Sequence, residues 1–158
     1  FQGRMEFGPR ALGARSILAD PRSKKMKKLI NEKIKFREEF RPFCPSVLSK
    51  NTSAFYEEKF YSPFMNINKR VKKKTKLYYP SIVHHDNTSR IQSVKKIKNQ
   101  MYYDLLISLE KKDNLKNLLN TSLNINNQTM VNHPSEALRT FFCSGLDSLY
   151  IENFKIFK

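Results

Sequence analysis

Cations and polar donors fall where this chain's secondary-structure elements are expected to end, a placement that suits phosphate. Arg10 follows the Gly8-Pro9 turn, Lys35 closes a helix, and Arg37 and Arg41 flank Phe36 and Phe40, with Arg41 held by Pro42. Arg90 begins a strand after the polar turn Asp86-Asn87-Thr88, and Asn120 and Ser122 follow another strand. Loops at strand ends are where α/β proteins assemble ligand sites. Several fixed guanidiniums beside amide and hydroxyl donors suit two or more phosphates, because the arginine fork meets phosphate oxygens in pairs. Taken singly, each basic side chain reads as ordinary solvated surface.

Other chemistries find less support. The chain has no Walker loop, no G-x-S-x-G and no His-Glu-x-x-His, and its four glycines are too few for a dinucleotide fingerprint. His84 and His85 stand beside Asp86, but neighbours on a strand face opposite ways, so hydrogen-bonding roles are expected and no metal site is assigned. Cys44 and Cys143 are too few and too far apart for a disulfide framework or a zinc site, and Cys143 is expected on an apolar helix face. Both read as reduced thiols of a cytoplasmic protein.

The elements that must position these residues alternate. Proline after Gly8 presets a turn, and the run after Pro9 can begin a helical turn whose free N–H groups would suit an anion. Arg15–Asp20 is a strand candidate; Met26, Leu29, Ile30 and Ile34 then recur at helical spacing. Phe43–Leu48 reads as a buried strand, 52–60 as a short helix and 64–71 as a strand. The run Lys69–Lys76 is expected to be a mobile, solvated loop, since its charges repel one another. Two short strands, 81–84 and 90–94, flank the 86–88 turn. A helix over 101–109, a strand over 115–119, a helix over 134–143 and a strand over 148–151 complete the pattern. Strands and helices in this order predict an α/β fold with a mixed sheet.

With 158 residues, 39% of them hydrophobic, the chain can bury a core as one domain. Its net charge of +16 calls for an anionic partner. No apolar stretch approaches the roughly 20 residues of a membrane span, so no membrane partner is expected. The chain opens on Phe1, within what reads as a motif, and is expected to be the tail of a longer protein.

Several of these motifs together resemble a known family. Gly3-Arg-Met-Glu-Phe-Gly-Pro-Arg-Ala-Leu-Gly13, Arg15-Ser-Ile-Leu-Ala-Asp-Pro21, Lys33-Ile-Lys-Phe-Arg-Glu-Glu-Phe-Arg-Pro-Phe43, Arg90-Ile-Gln92 and Leu119-Asn-Thr-Ser122 are similar to the C-terminal region of O-carbamoyltransferases of the nodulation and antibiotic-tailoring type. The resemblance implies a YrdC-like domain with a mixed sheet flanked by helices. It implies formation of carbamoyl-adenylate from carbamoyl phosphate and ATP, with Mg2+ on the triphosphate. A separate N-terminal, actin-like, metal-binding domain would pass the carbamoyl group to a hydroxyl of a sugar or other small acceptor. Carried over by motif, Lys35 and Arg41 would meet carbamoyl phosphate, Arg10 and Arg90 the phosphates of either substrate, and Asn120 and Ser122 phosphate or nucleotide. Two departures stand out: Asn126-Asn127-Gln128-Thr129 replaces the family's Arg-Gly-Glu-Pro-like turn, and Asp86-Asn87 replaces its Asp-Gly.

The alternative is a nucleic-acid-binding module of the same fold, which the charge would favour. Phe7, Phe36, Phe40 and Phe43 are expected to pack inside rather than stand exposed for base stacking, which counts against it.

Overall fold

A computed structural model describes residues 1–158. Its centre is a four-stranded mixed sheet, in agreement with the α/β expectation, built from β1 (Ser16–Ala19), β2 (Cys44–Leu48), β5 (Gln92–Val94) and β6 (Asn117–Ser122). The order is β1-β6-β2-β5; β6 is antiparallel to both neighbours and β5 is parallel to β2. Two hairpins stand outside it: β3 (Asn68–Arg70) with β4 (Thr88–Arg90), and β7 (Ser148–Ile151) with β8 (Phe154–Phe157).

Strand register sorts the side chains onto two faces, because successive residues alternate. One face carries Ile17, Phe43, Val47, Ile91 and Leu119. There α1 (Met26–Ile30), its continuation as a π-helical turn (Asn31–Lys35), and α5 (Pro134–Phe142) supply Ile30, Ile34, Ala137 and Phe141 to the largest core cluster. The opposite face carries Leu48, Val94 and Leu118, covered by Tyr102 and Leu106 of α4 (Gln100–Asp113). Further along that second face the residues turn polar: Ser46, Gln92, Asn120, Cys44 and Ser122.

Several local expectations fail for identifiable reasons. The run after Pro9 forms no helix; its N–H groups converge on the chain's own Glu6, whose Oε1 accepts from Leu12 (2.7 Å), Ala14 (2.7 Å) and Arg15 (3.2 Å). The helix expected over 52–60 stops early, as α2 (Thr52–Phe55), because Tyr56 turns extended to bridge Val71. Met65 takes a left-handed φ of 53°, which leaves only Asn68–Arg70 of the 64–71 strand. The basic run is ordered: Val71 is buried, α3 (Lys73–Tyr78) follows, and Thr75 Oγ1 donates to Phe55 O at 2.7 Å. Pro80–Ile82 is a 3-10 turn in place of the strand over 81–84, and β4 pairs with β3 instead. Cys143 lies exposed at the end of α5.

Candidate functional site

The polar half of the second sheet face is left uncovered by α4, and a cleft of about 120 Å3 opens there. Cys44 of β2 with Asn120 and Ser122 of β6 form its floor. Backbone pairing carries β6 through to Ser122, three residues beyond the expected strand end, so Asn120 and Ser122 project from a strand rather than a loop. Three guanidiniums line the walls: Arg10, Arg37 and Arg90. No carboxylate does, so the cleft is cationic by composition.

Each arginine is held differently. Arg90, at the end of β4, donates from Nε to Cys44 Sγ at 3.3 Å. Arg37 lies beyond the π-helical turn, where Phe36 reverses the chain at a left-handed φ of 50°. The wholly buried Asn31 organises that reversal, donating to the carbonyls of Glu39 (3.1 Å) and Arg41 (3.0 Å) while its Oδ1 accepts from Arg37 Nε at 2.7 Å. The Arg37 guanidinium also sits 5.0 Å from the Phe43 ring centre. Arg10 stands on the segment that Glu6 organises.

Of the six side chains singled out from sequence, four line this cleft: Arg10, Arg90, Asn120 and Ser122. Arg41 does not; it is exposed and pairs with Glu38 at 2.8 Å. Lys35 lies behind Ser122, almost wholly buried. Its Nζ donates to Ser122 O, to Asn124 O (3.0 Å) and to Asn124 Oδ1 (2.6 Å), with Ser122 Oγ at 3.3 Å. Burial first, and the Arg37 charge second, push this amine down from 10.5 to about 7. Arg37, named with Arg41 but left out of the site, is the residue the sequence reading missed; its spacing from Pro42 and Phe43 gave no sign of which arginine would turn inward.

The two departures from the family pattern keep their turns. Asn127 and Asn87 take left-handed φ values of 59° and 62°, a conformation asparagine tolerates better than most residues. Asn124 Nδ2 closes the first turn onto Gln128 O at 2.6 Å. His84 and His85 lie in the loop before β4, and His84 Nδ1 contacts Thr88 Oγ1 at 3.2 Å.

Comparison with known proteins accounts for the motifs. The carbamoyltransferase C-terminus family matches residues 1–158, and the chain belongs to that family. Nodulation protein NolO of Bradyrhizobium diazoefficiens is 43% identical over 99% of this chain, and NolNO of Sinorhizobium fredii is 41% identical over 99%. Nodulation protein U of Rhizobium tropici is 38% identical over 78%. The chain spans only 29%, 24% and 21%, respectively, of the lengths of these relatives.

Proposed function

We propose that this chain is the carbamoyl-activating part of a carbamoyltransferase, and that its cleft binds carbamoyl phosphate and the phosphates of MgATP. The observation that carries this reading is three arginines with Asn120 and Ser122 around a small cavity that no carboxylate lines. Its volume, about 120 Å3, lies well below the roughly 300 Å3 at which drug-sized sites begin, and fits a small acyl phosphate. A nucleotide would extend past the mouth. The absence of lining carboxylates suits magnesium that arrives on triphosphate oxygens and needs few protein ligands.

In this reading water cleaves carbamoyl phosphate to carbamate and phosphate. A carbamate oxygen then bonds to the α-phosphorus of ATP as the bond to pyrophosphate breaks, which leaves carbamoyl-adenylate. Charge accumulates on phosphoryl oxygens throughout, and fixed guanidiniums offset it without reorganising. Arg37 and Arg90 hold the donor phosphate and Arg10 closes on it from above. Asn120 and Ser122 contribute polar contacts, and Lys35 fixes the Ser122–Asn124 corner. The hydroxyl acceptor, and the domain that would deliver it, belong to the longer relatives' remaining length.

Pyrophosphate–ATP exchange with and without carbamoyl phosphate tests the reading, with nucleotide binding followed by calorimetry. Exchange that requires carbamoyl phosphate supports it; no exchange together with no binding of either substrate overturns it. Arg37→Ala and Arg90→Ala should each weaken carbamoyl phosphate binding at least about tenfold, close to 1.4 kcal/mol, while Arg41→Ala changes it less than about threefold. Equal losses for Arg37→Ala and Arg41→Ala would return Arg41 to the site.

The nucleic-acid alternative needs one correction. Only Phe43 is buried; Phe7 is fully exposed, Phe40 is 76% exposed and Phe36 is 48% exposed, so aromatic packing does not argue against that alternative. What favours the small-anion reading is the cleft itself, together with family membership.

A further inference from the structure

Behind the cleft lies a polar network spanning three strands. Gln92 on β5, Ser46 on β2 and Asn120 on β6 share one sheet face, and all three are buried. Gln92 Nε2 donates to the Leu12 carbonyl at 2.8 Å. A carbonyl can only accept, so this bond fixes which way the Gln92 amide points. Gln92 Oε1 therefore faces inward, where it accepts from Ser46 Oγ at 2.6 Å and from Asn120 Nδ2 at 3.0 Å. That in turn fixes the Asn120 amide, whose Nδ2 also meets Ser46 Oγ at 3.0 Å and the Ala11 carbonyl at 3.2 Å.

The two outward bonds end on consecutive carbonyls, Ala11 and Leu12, directly after Arg10. From the other side Glu6 Oε1 gathers the N–H groups of Leu12 and Ala14. Between Glu6 and Arg10 the chain stands in the open: Gly8 has φ 128° and no atom within 4 Å of where a Cβ would stand, and Phe7 is fully exposed. Arg10 thus stands directly before the anchored pair Ala11 and Leu12, which Asn120 and Gln92 hold from the sheet and Glu6 holds from the other side.

We propose that Gln92 is a positioning residue that sets where the Arg10 guanidinium stands over the cleft, acting through the Leu12 carbonyl and through Asn120. This rests on the reading of the cleft as a phosphate site and adds a residue that does not itself line it. A hydrogen-bonded amide serves better here than an apolar residue. It joins a strand to a half-buried carbonyl outside the sheet, and a carbonyl left unpaired away from water is costly. Gln92 is thus expected to act on ligand affinity chiefly through Arg10, since the Asn120 Nδ2 it holds is turned to the Ala11 carbonyl.

A double-mutant cycle on carbamoyl phosphate affinity, read by calorimetry, tests this. Gln92→Met, close to isosteric but without donor or acceptor oxygen, should weaken binding by about five- to tenfold when Arg10 is present. In the Arg10→Ala background it should add less than about twofold. Losses that multiply would overturn the proposal, as would a Gln92→Met protein that binds like the wild type. If Gln92→Met does not fold, Ser46→Ala, which removes a donor to the same Gln92 oxygen, is read in the same cycle. It should give a loss of about threefold that vanishes with Arg10→Ala. A wild-type protein that binds no carbamoyl phosphate would fail the reading of the cleft, and this inference with it. Tight binding without coupling would fail the inference alone.

Discussion

At the scale of single residues, Lys35 carries the most informative chemistry. Its amine is enclosed by oxygens of Ser122 and Asn124, yet burial beside Arg37 holds it at about 7, against an ordinary 10.5. Between those values the unfolded chain keeps its proton while the folded chain has lost it, so folding releases a proton and rising pH favours the native state. Stability should climb from about pH 7 toward 10.5 through this group, with a slope of at most about 1.4 kcal/mol per pH unit. Urea midpoints for the wild type and Lys35→Met, compared at pH 7, 8.5 and 10, check it. The wild type should gain on the variant as pH rises; parallel curves would mean that the buried amine keeps its charge.

Between elements, the sheet decides what the cleft contains. Asn120 and Ser122 were legible as polar donors expected just past a strand end; the strand in fact runs through them, and period two places both on one face. Arg90 was legible as a cation next to the polar turn 86–88, although it ends β4 rather than opening a strand. Gln92 itself was quoted but given no role, since its partners come from β2, β6 and the 11–12 segment, and only strand register brings those together. Arg37 and Arg41 were indistinguishable by spacing; the choice depends on Asn31, whose three bonds set the loop's direction. The expected helix after Pro9 failed because Glu6 competes for the same N–H groups.

The close approach of that segment to α4 gives a prediction at the same scale. Gly13 has φ 122°, and a Cβ there would come within 2.7 Å of the Tyr102 ring. Gly13→Ala should destabilise the fold by about 2–4 kcal/mol, combining left-handed strain with overpacking against a buried ring. Gly8→Ala, with a similar φ but open space around it, should cost about 1 kcal/mol. Thermal unfolding of both variants separates the two terms, and equal losses would show that the Tyr102 contact relaxes without cost.

Across the whole molecule, charge and cleft are largely separate matters. The chain carries +16, but only three cations line the cleft. A wider groove of about 990 Å3 is lined by Arg22, Lys24, Lys27, Lys28 and Lys76, and shares no residue with the cleft. Part of its charge is offset locally, since Arg22 pairs with Asp20, and Lys28 lies 3.5 Å from Glu32 and 3.6 Å from Glu39. At physiological ionic strength charges farther than about 8 Å are largely screened, and Lys73 and Lys74 of α3 line neither the groove nor the cleft. Lys73→Gln combined with Lys74→Gln should therefore leave carbamoyl phosphate affinity within about twofold at 0.15 M salt. At 0.01 M salt, where the screening length grows to about 30 Å, the same pair should weaken binding measurably. A large loss at 0.15 M would mean that α3 reaches the ligand directly, and the cleft would then have to be redrawn to include it.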